Sequence, residues 1–314
     1  MKLSILEPLG IDMAVLRDMA DKAVGDRMEI TAYDTRVEDT ETLIERSHDA
    51  DVVVLSNFKY GRDVISHCPD LKMICVAFTG VDHVDVEYCR ERGITVCNCA
   101  GYSTVAVADL VFGMVISLAR NIPQCDAAIR RGGDKSGLVG FELEGKTFGV
   151  VGLGAIGQRV AAVANAFGCK VLGYNRSEKN VPGVTQVSLE ELLAQSDIVS
   201  LHVPLTAETK GMINKERLAM MKKTAYLINT ARGPVVDSEA LADALKNGVI
   251  AKAAVDVFET EPPIAADHVL LSAPNLLATP HVAFASAQAF EKRAVIVFDN
   301  IVKWLDGCPQ NVLK

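Results

Sequence analysis

The stretch Phe148-Gly149-Val150-Val151-Gly152-Leu153-Gly154-Ala155-Ile156-Gly157 decides the fold. It reads as a strand, a glycine turn and the start of a helix over residues 156–167. Gly152 permits the tight turn, Gly154 lets a pyrophosphate approach the backbone, and Gly157 allows close packing of helix on sheet. The first N–H groups of the helix, with the positive end of its dipole, then face dinucleotide phosphates. Glycine spacing alone is a weak signal, and a tight turn without a ligand is the alternative. The strand before it and the helix after it make the signal specific. Gly152, Gly154, Ala155, Ile156 and Gly157 are thus the predicted phosphate cradle.

The next strand, 170–174, ends at Asn175-Arg176-Ser177. An NAD site usually carries Asp or Glu about 20 residues after the glycines, to accept from the ribose 2′-OH. Asn175 lacks that charge, whereas Arg176 and Ser177 suit a 2′-phosphate. The cofactor is read as NAD or NADP, tipped toward NADP by this triplet. A solvated Arg176 with Asn175 on the ribose is the alternative.

Outward from this unit the pattern repeats. Strands are predicted at 198–202, 225–229, 253–257 and 276–278, with helices at 189–195, 215–221 and 238–247. The first hundred residues alternate strands at 2–6, 28–33, 51–56, 73–77 and 94–97 with helices at 12–23, 38–47 and 84–92. Short apolar strands spaced by helices indicate parallel sheets covered on both faces. A chain of 314 residues also exceeds one hydrophobic core. The fold class is α/β, with two doubly wound parallel-sheet domains.

Residues 103–120 read as a long helix that is apolar on almost every side, with Asp109 as its one interior charge. Such a helix is expected to be buried all round, between domains or between subunits. It closes near Asn121 and Pro123, and a Gly-rich charged loop follows at 130–137.

Composition excludes several classes. The net charge of −8 argues against non-specific contact with nucleic acid or an anionic membrane. The start, Met1 to Pro8, meets an acid and a proline too early for a signal peptide. The most apolar stretch, 110–119, falls short of the roughly 18–20 residues of a membrane span. The eight cysteines form no Cys-x-x-Cys pair and have no His cluster, so no metal site is expected. Buried free thiols fit a reducing, cytoplasmic setting.

Three further strand ends carry ionisable residues. Arg232 lies in Asn229-Thr230-Ala231-Arg232-Gly233-Pro234, Glu261 in the 256–263 segment, and His281 in Thr279-Pro280-His281-Val282-Ala283-Phe284. Ligands on open α/β sheets bind beyond the carboxyl ends of the strands, so these three side chains are candidates for one site. Taken singly, each has a bland reading: a loop histidine, a turn acid and a carbonyl-capping arginine.

At this point the chain resembles the D-isomer-specific 2-hydroxyacid dehydrogenase family, from about residue 50 onward. The resemblance rests on Gly80-Val81-Asp82-His83-Val84-Asp85, Asn98-Cys99-Ala100-Gly101-Tyr102-Ser103, the glycine loop, His202-Val203-Pro204-Leu205-Thr206, and the Arg232, Glu261 and His281 segments. The ending, Trp304 to Val312, looks most like the glycerate dehydrogenase or hydroxypyruvate (glyoxylate) reductase branch. The resemblance implies reduction of a small 2-keto acid to a D-2-hydroxy acid. His281 would be the general acid, Glu261 the partner of its other nitrogen, and Arg232 the holder of the substrate carboxylate. An adjacent carboxylate favours the charged form of an imidazole.

The same resemblance implies a substrate loop at Thr79, Gly80 and Val81, with Asn57 and Phe58 as weaker substrate candidates. It places Asp256, Thr230, Ala231, Arg232 and His281 near the nicotinamide, and His202, Val203, Pro204 and Thr209 toward the adenosine. Phe284 would line the pocket and limit substrate size. The substrate domain, flavodoxin-like, would span 1–99 plus 287–314, and the Rossmann cofactor domain 100–286. The helix at 104–119 would form a homodimer. D-3-phosphoglycerate dehydrogenase without a regulatory domain, and a nicotinamide-sensing binding protein of the same fold, are the alternatives.

Overall fold

The computed structural model describes residues 1–313. The chain divides into two compact units, Met1–Ser103 with the segment from Ala285 onward, and Thr104–Phe284.

In the first unit β1 (Lys2–Ile5), α1 (Met13–Val24), β2 (Glu29–Ala32), α2 (Thr40–Ser47), β3 (Val52–Leu55), α3 (Arg62–Ile65), β4 (Met73–Val76), α4 (Val86–Glu91) and β5 (Thr95–Asn98) alternate. The five strands are parallel, in the order β2-β1-β3-β4-β5. Every residue of β3 and β4 is buried, as strands covered on both faces require. Asp12, Asp39 and Asp85 cap the helices that follow them by accepting first-turn N–H bonds. The final helix, Ala287–Leu305, returns to this unit and packs on α1 and β4. Its buried Arg293 donates to the carbonyls of Leu9 and Ala77 and lies 4.9 Å over the Phe290 ring. Asn300 donates to the Asn98 carbonyl at 2.9 Å, tying the helix to β5.

The second unit holds α5 (Thr104–Ala119), α6 (Ile122–Arg130), β6 (Thr147–Val151), α7 (Ala155–Ala166), β7 (Lys170–Tyr174), β8 (Val184–Gln186), α8 (Leu189–Gln195), β9 (Ile198–Leu201), α9 (Lys215–Met220), β10 (Tyr226–Asn229), α10 (Ser238–Lys246), β11 (Lys252–Val255) and β12 (Leu276–Ala278). Its seven strands run parallel in the order β12-β11-β10-β9-β6-β7-β8. Two cores cover the sheet, one built from α8, α9 and α10, the other from α5 and α7.

Within its own chain α5 is not buried all round: Val105, Asp109 and Gly113 are exposed while Val107, Ala108, Val111, Phe112, Val115 and Leu118 are buried. Asp109 therefore meets water rather than needing a buried partner. The long helix ends at Ala119, close to Asn121 and Pro123, and Pro123 lies in the first turn of a further helix, α6, where the missing N–H costs nothing. Cys68, Cys75, Cys89, Cys97, Cys99 and Cys169 are buried free thiols, and burial pushes Cys89 and Cys97 up to about 12. Among the described residues no group of His, Cys, Asp and Glu could hold a metal ion, and no single helix is long and apolar enough to cross a membrane.

Candidate active site

In the second unit the chain reverses direction across the sheet between β6 and β9, and the candidate residues lie past the carboxyl ends of its strands. The glycine turn follows β6. Gly152 has φ +98°, and a Cβ there would stand 2.6 Å from the His202 carbonyl oxygen. A Cβ on Gly157 would collide with the Gly152 carbonyl, so α7 can sit this close to the sheet only with glycine. Gly154 is the opposite case: nothing lies within 4 Å of where its Cβ would be, and no side chain caps the helix it opens. An open turn at an uncapped helix N-terminus, Ala155 and Ile156 in its first turn, is a cradle for phosphate. Thr230, past β10, adds a buried Oγ1 without a hydrogen-bond partner among the described residues. The residues present fit a dinucleotide.

Past β7, Asn175 is committed to the protein itself. Its Oδ1 accepts from the Leu153 N–H at 3.1 Å, and its Nδ2 donates to the Ser177 carbonyl and hydroxyl at 2.9 and 3.1 Å. Gln186 on β8 donates to the carbonyls of Asn175 and Ser177 at 3.3 and 3.2 Å. The loop is thus stitched to the glycine turn with Arg176 and Ser177 exposed. Glu208 lies across from it, held below the ordinary glutamate range by a Thr206 hydrogen bond and, more weakly, by the Arg176 charge.

Past β9, the His202 Nε2 lies 2.9 Å from the Ser200 hydroxyl, and burial pushes the imidazole down to about 3, leaving it neutral. Thr209 shapes the following turn: its hydroxyl donates to the Pro204 carbonyl at 2.6 Å and accepts from the Thr206 N–H at 2.8 Å. Val203 and Pro204 stand on the rim of that turn, Val203 half-buried and Pro204 exposed.

Arg232, Glu261 and His281 follow β10, β11 and β12, three adjacent strands. Asn229 ends β10 and grips the turn from both sides. Its Oδ1 accepts from Ala231 N–H at 3.1 Å and its Nδ2 donates to the Arg232 carbonyl at 3.0 Å. Sequence reasoning passed over this residue, although Asn two residues before a turn N–H is the Asx-turn signal. Arg232 Nη1 donates to the Ala231 carbonyl at 2.8 Å. The next residue must be glycine, because a Cβ on Gly233 would collide with the Phe258 carbonyl.

Asp256, fully buried past β11, holds the His281 segment in place. Its carboxylate accepts from Thr279 Oγ1 at 2.5 Å and from the N–H groups of Val282 and Ala283 at 2.9 and 2.8 Å. Burial pushes this carboxyl up, and those three bonds oppose the shift. The His281 N–H donates to the Asp256 carbonyl at 2.8 Å, and His281 adopts a left-handed φ of +55°. Such a backbone costs energy outside glycine and persists where the surroundings over-determine it. The result is a side chain only 12% exposed, with Nδ1 2.7 Å from Glu261 Oε2. The Phe284 ring meets the imidazole edge-on at 5.4 Å.

In the first unit Thr79, Gly80 and Val81 form the turn after β4, where the Asn98 amide donates to the Thr79 carbonyl at 2.8 Å. The N–H groups of these three residues donate to no acceptor among the described residues. Asn57 lies past β3, and its Oδ1 accepts from Arg36 at 2.9 Å, while Arg36 also pairs with buried Glu7 at 3.0 Å. Phe58 is buried beneath the Arg36 guanidinium, 5.5 Å from ring to cation, so it packs rather than lines.

Comparison with known proteins places this arrangement. Residues 112–283 match the family model of the D-isomer specific 2-hydroxyacid dehydrogenase NAD binding domain. A glyoxylate reductase of Thermofilum pendens is 43% identical over 278 residues, covering 85% of this chain and 82% of that protein. A D-3-phosphoglycerate dehydrogenase of Methanocaldococcus jannaschii is 44% identical over 274 residues, but the matched part is 52% of that longer protein. Among solved structures, an acyclic imino acid reductase in complex with NADPH and D-Arg superposes with a TM-score of 0.91 at 33% identity, over 100% of both chains. Two parallel α/β sheets, a dinucleotide cradle and these likenesses lead to one conclusion: the chain belongs to the D-isomer-specific 2-hydroxyacid dehydrogenase family, oxidoreductases that act on CH–OH donors with NAD or NADP.

Proposed function

We propose that this enzyme reduces glyoxylate or hydroxypyruvate to the D-2-hydroxy acid and prefers NADPH to NADH. The observation that carries the reading is the 2.7 Å contact of His281 Nδ1 with Glu261, on strand ends beside the Arg232 turn. When bound, the nicotinamide supplies the hydride. Arg232 holds the substrate carboxylate with its planar fork and polarises the carbonyl. His281 gives a proton from Nε2 to the carbonyl oxygen as the carbon is reduced, and takes it back in the oxidative direction. Glu261, 2.7 Å from Nδ1, orients the ring and leaves Nε2 as the nitrogen that exchanges the proton. Phe284, edge-on to that imidazole, favours substrates with short side chains. In the first unit, the N–H groups of Thr79, Gly80 and Val81 are suited to a carboxylate, and Asn57 offers an amide.

The test is cofactor oxidation with glyoxylate, hydroxypyruvate, pyruvate and 3-phosphohydroxypyruvate, each with NADPH and NADH. No turnover of any of them sinks the proposal, and a strong preference for the phosphorylated acid transfers it to phosphoglycerate dehydrogenase.

The NADPH preference is supported by the commitment of Asn175 to the backbone of Leu153 and Ser177, which leaves the neighbouring Arg176 exposed and open to a 2′-phosphate. Replacing Arg176 by Ala is expected to raise the KM for NADPH about 10- to 100-fold, the worth of a charge-assisted hydrogen bond pair, and to leave NADH unchanged. Equal losses with both cofactors discard the idea.

A homodimer is supported by the large apolar side chains that α5 and α6 leave exposed, Val105 43%, Ile122 47% and Ile129 69% exposed. Val105→Glu is expected to yield monomers by light scattering; a wild-type mass identical to the monomer removes the proposal.

A further inference from the structure

Glu261 stands on a segment that packing does little to hold. From Thr260 to Asp267 every residue except Ile264 is exposed. A loop with so little buried apolar surface opens easily unless its ends are fixed. Both ends are fixed by one pair. Glu259 Oε2 lies 2.8 Å from His268 Nε2. Nδ1 of the same imidazole accepts from the Leu270 N–H at 3.3 Å, capping the short 3-10 turn Val269–Ser272. With Nδ1 accepting, the ring proton sits on Nε2 and donates to Glu259. The His268 ring also meets Phe258 edge-on at 5.2 Å. Phe258 in turn is the residue whose carbonyl excludes any side chain at Gly233, next to Arg232. Burial favours the neutral form of Glu259, but hydrogen bonds from Ser238 and His268 outweigh it and keep the group below the ordinary glutamate range.

We propose that the Glu259–His268 pair is the positioning device of the active site: it closes the 260–267 loop and so sets where Glu261 stands against His281. Neither residue touches the reacting atoms. The pair is a second His–carboxylate couple, nine residues apart in sequence, and it serves the first. This inference rests on the assignment of His281 and Glu261 as proton donor and partner.

The experiment compares wild type, His268→Ala and His268→Gln in keto-acid reduction, together with hydrogen exchange of the 260–267 amides. His268→Ala is expected to lower kcat about tenfold with little change in KM, because a catalytic group displaced by a fraction of an ångström loses rate rather than binding. Exchange in the loop accelerates. His268→Gln, whose amide nitrogen occupies the place of Nε2, restores kcat and exchange toward wild type. A residue that mattered only for global stability would lower the melting temperature without accelerating loop exchange or separating kcat from KM. A wild-type kcat in folded His268→Ala, or unaltered loop exchange, overturns the proposal. Exchange is read whether or not any keto acid is turned over, so failure of the substrate assignment is told apart from failure of the clamp.

Discussion

His281→Asn should reduce kcat for keto-acid reduction by about 10²–10⁴, the usual worth of positioned acid–base catalysis, without weakening the cofactor. Asparagine is the informative replacement because the position has φ +55°. Asn tolerates the left-handed region better than most residues, so the backbone and its bond to the Asp256 carbonyl survive while the proton donor is lost. Alanine would confound loss of chemistry with strain. The measurement is steady-state kinetics in both directions beside cofactor titration by fluorescence. Reduction needs the imidazolium and declines at high pH; oxidation needs the neutral ring and declines at low pH. A variant that keeps more than about a tenth of wild-type kcat would show that the proton comes from elsewhere.

The second large effect falls on Arg232. Arg232→Lys keeps the charge but loses the planar fork, and kcat/KM for the keto acid should drop about 10²–10³. The geometry explains why lysine cannot compensate. One guanidinium nitrogen already donates to the Ala231 carbonyl at 2.8 Å, which aims the others. The turn itself is held by the Asn229 amide and by the close approach of Gly233 to Phe258. An ammonium on a flexible stem has no second nitrogen to spend on its own backbone. The substrate KM should rise while the KM for NADPH stays put. An unchanged substrate KM would reduce Arg232 to a cap on its own turn.

The glycine loop was legible because its constraints are local. The left-handed turn at Gly152, the contact of Gly157 with the Gly152 carbonyl and the open helix start at Gly154 all involve residues within about six positions, and the glycine spacing displays them. The alternating strands were legible because β3, β4, β9 and β10 are buried on both faces and so read as unbroken apolar runs. The three-residue β8 was missed, since its half-exposed Val-Thr-Gln carries no periodicity to detect. The helix α6 was missed because proline marks starts as well as stops.

Asn175 is the instructive case at the site. From the sequence it is a substitution at the ribose position; in the fold it accepts from Leu153, 22 residues earlier. Asp256 likewise reads as a cofactor contact, yet its oxygens bind Thr279, Val282 and Ala283. A polar residue at a strand end has several possible partners, and only coordinates say which one it has taken.

By itself the amino-acid sequence determined the fold class and the glycine turn, and it singled out Arg232, Glu261 and His281 as candidates, because each reading depends on contacts between near neighbours or on residue chemistry. Tertiary structure alone decided that β10, β11 and β12 lie side by side, bringing past their ends residues that the chain spaces from 232 to 281. It also decided that a buried carboxylate, Asp256, and a left-handed backbone would hold the His281 segment, and that a second histidine–glutamate pair would form nearby in the chain. Strand order is a property of how the sheet closes over its two cores, and no local pattern encodes it.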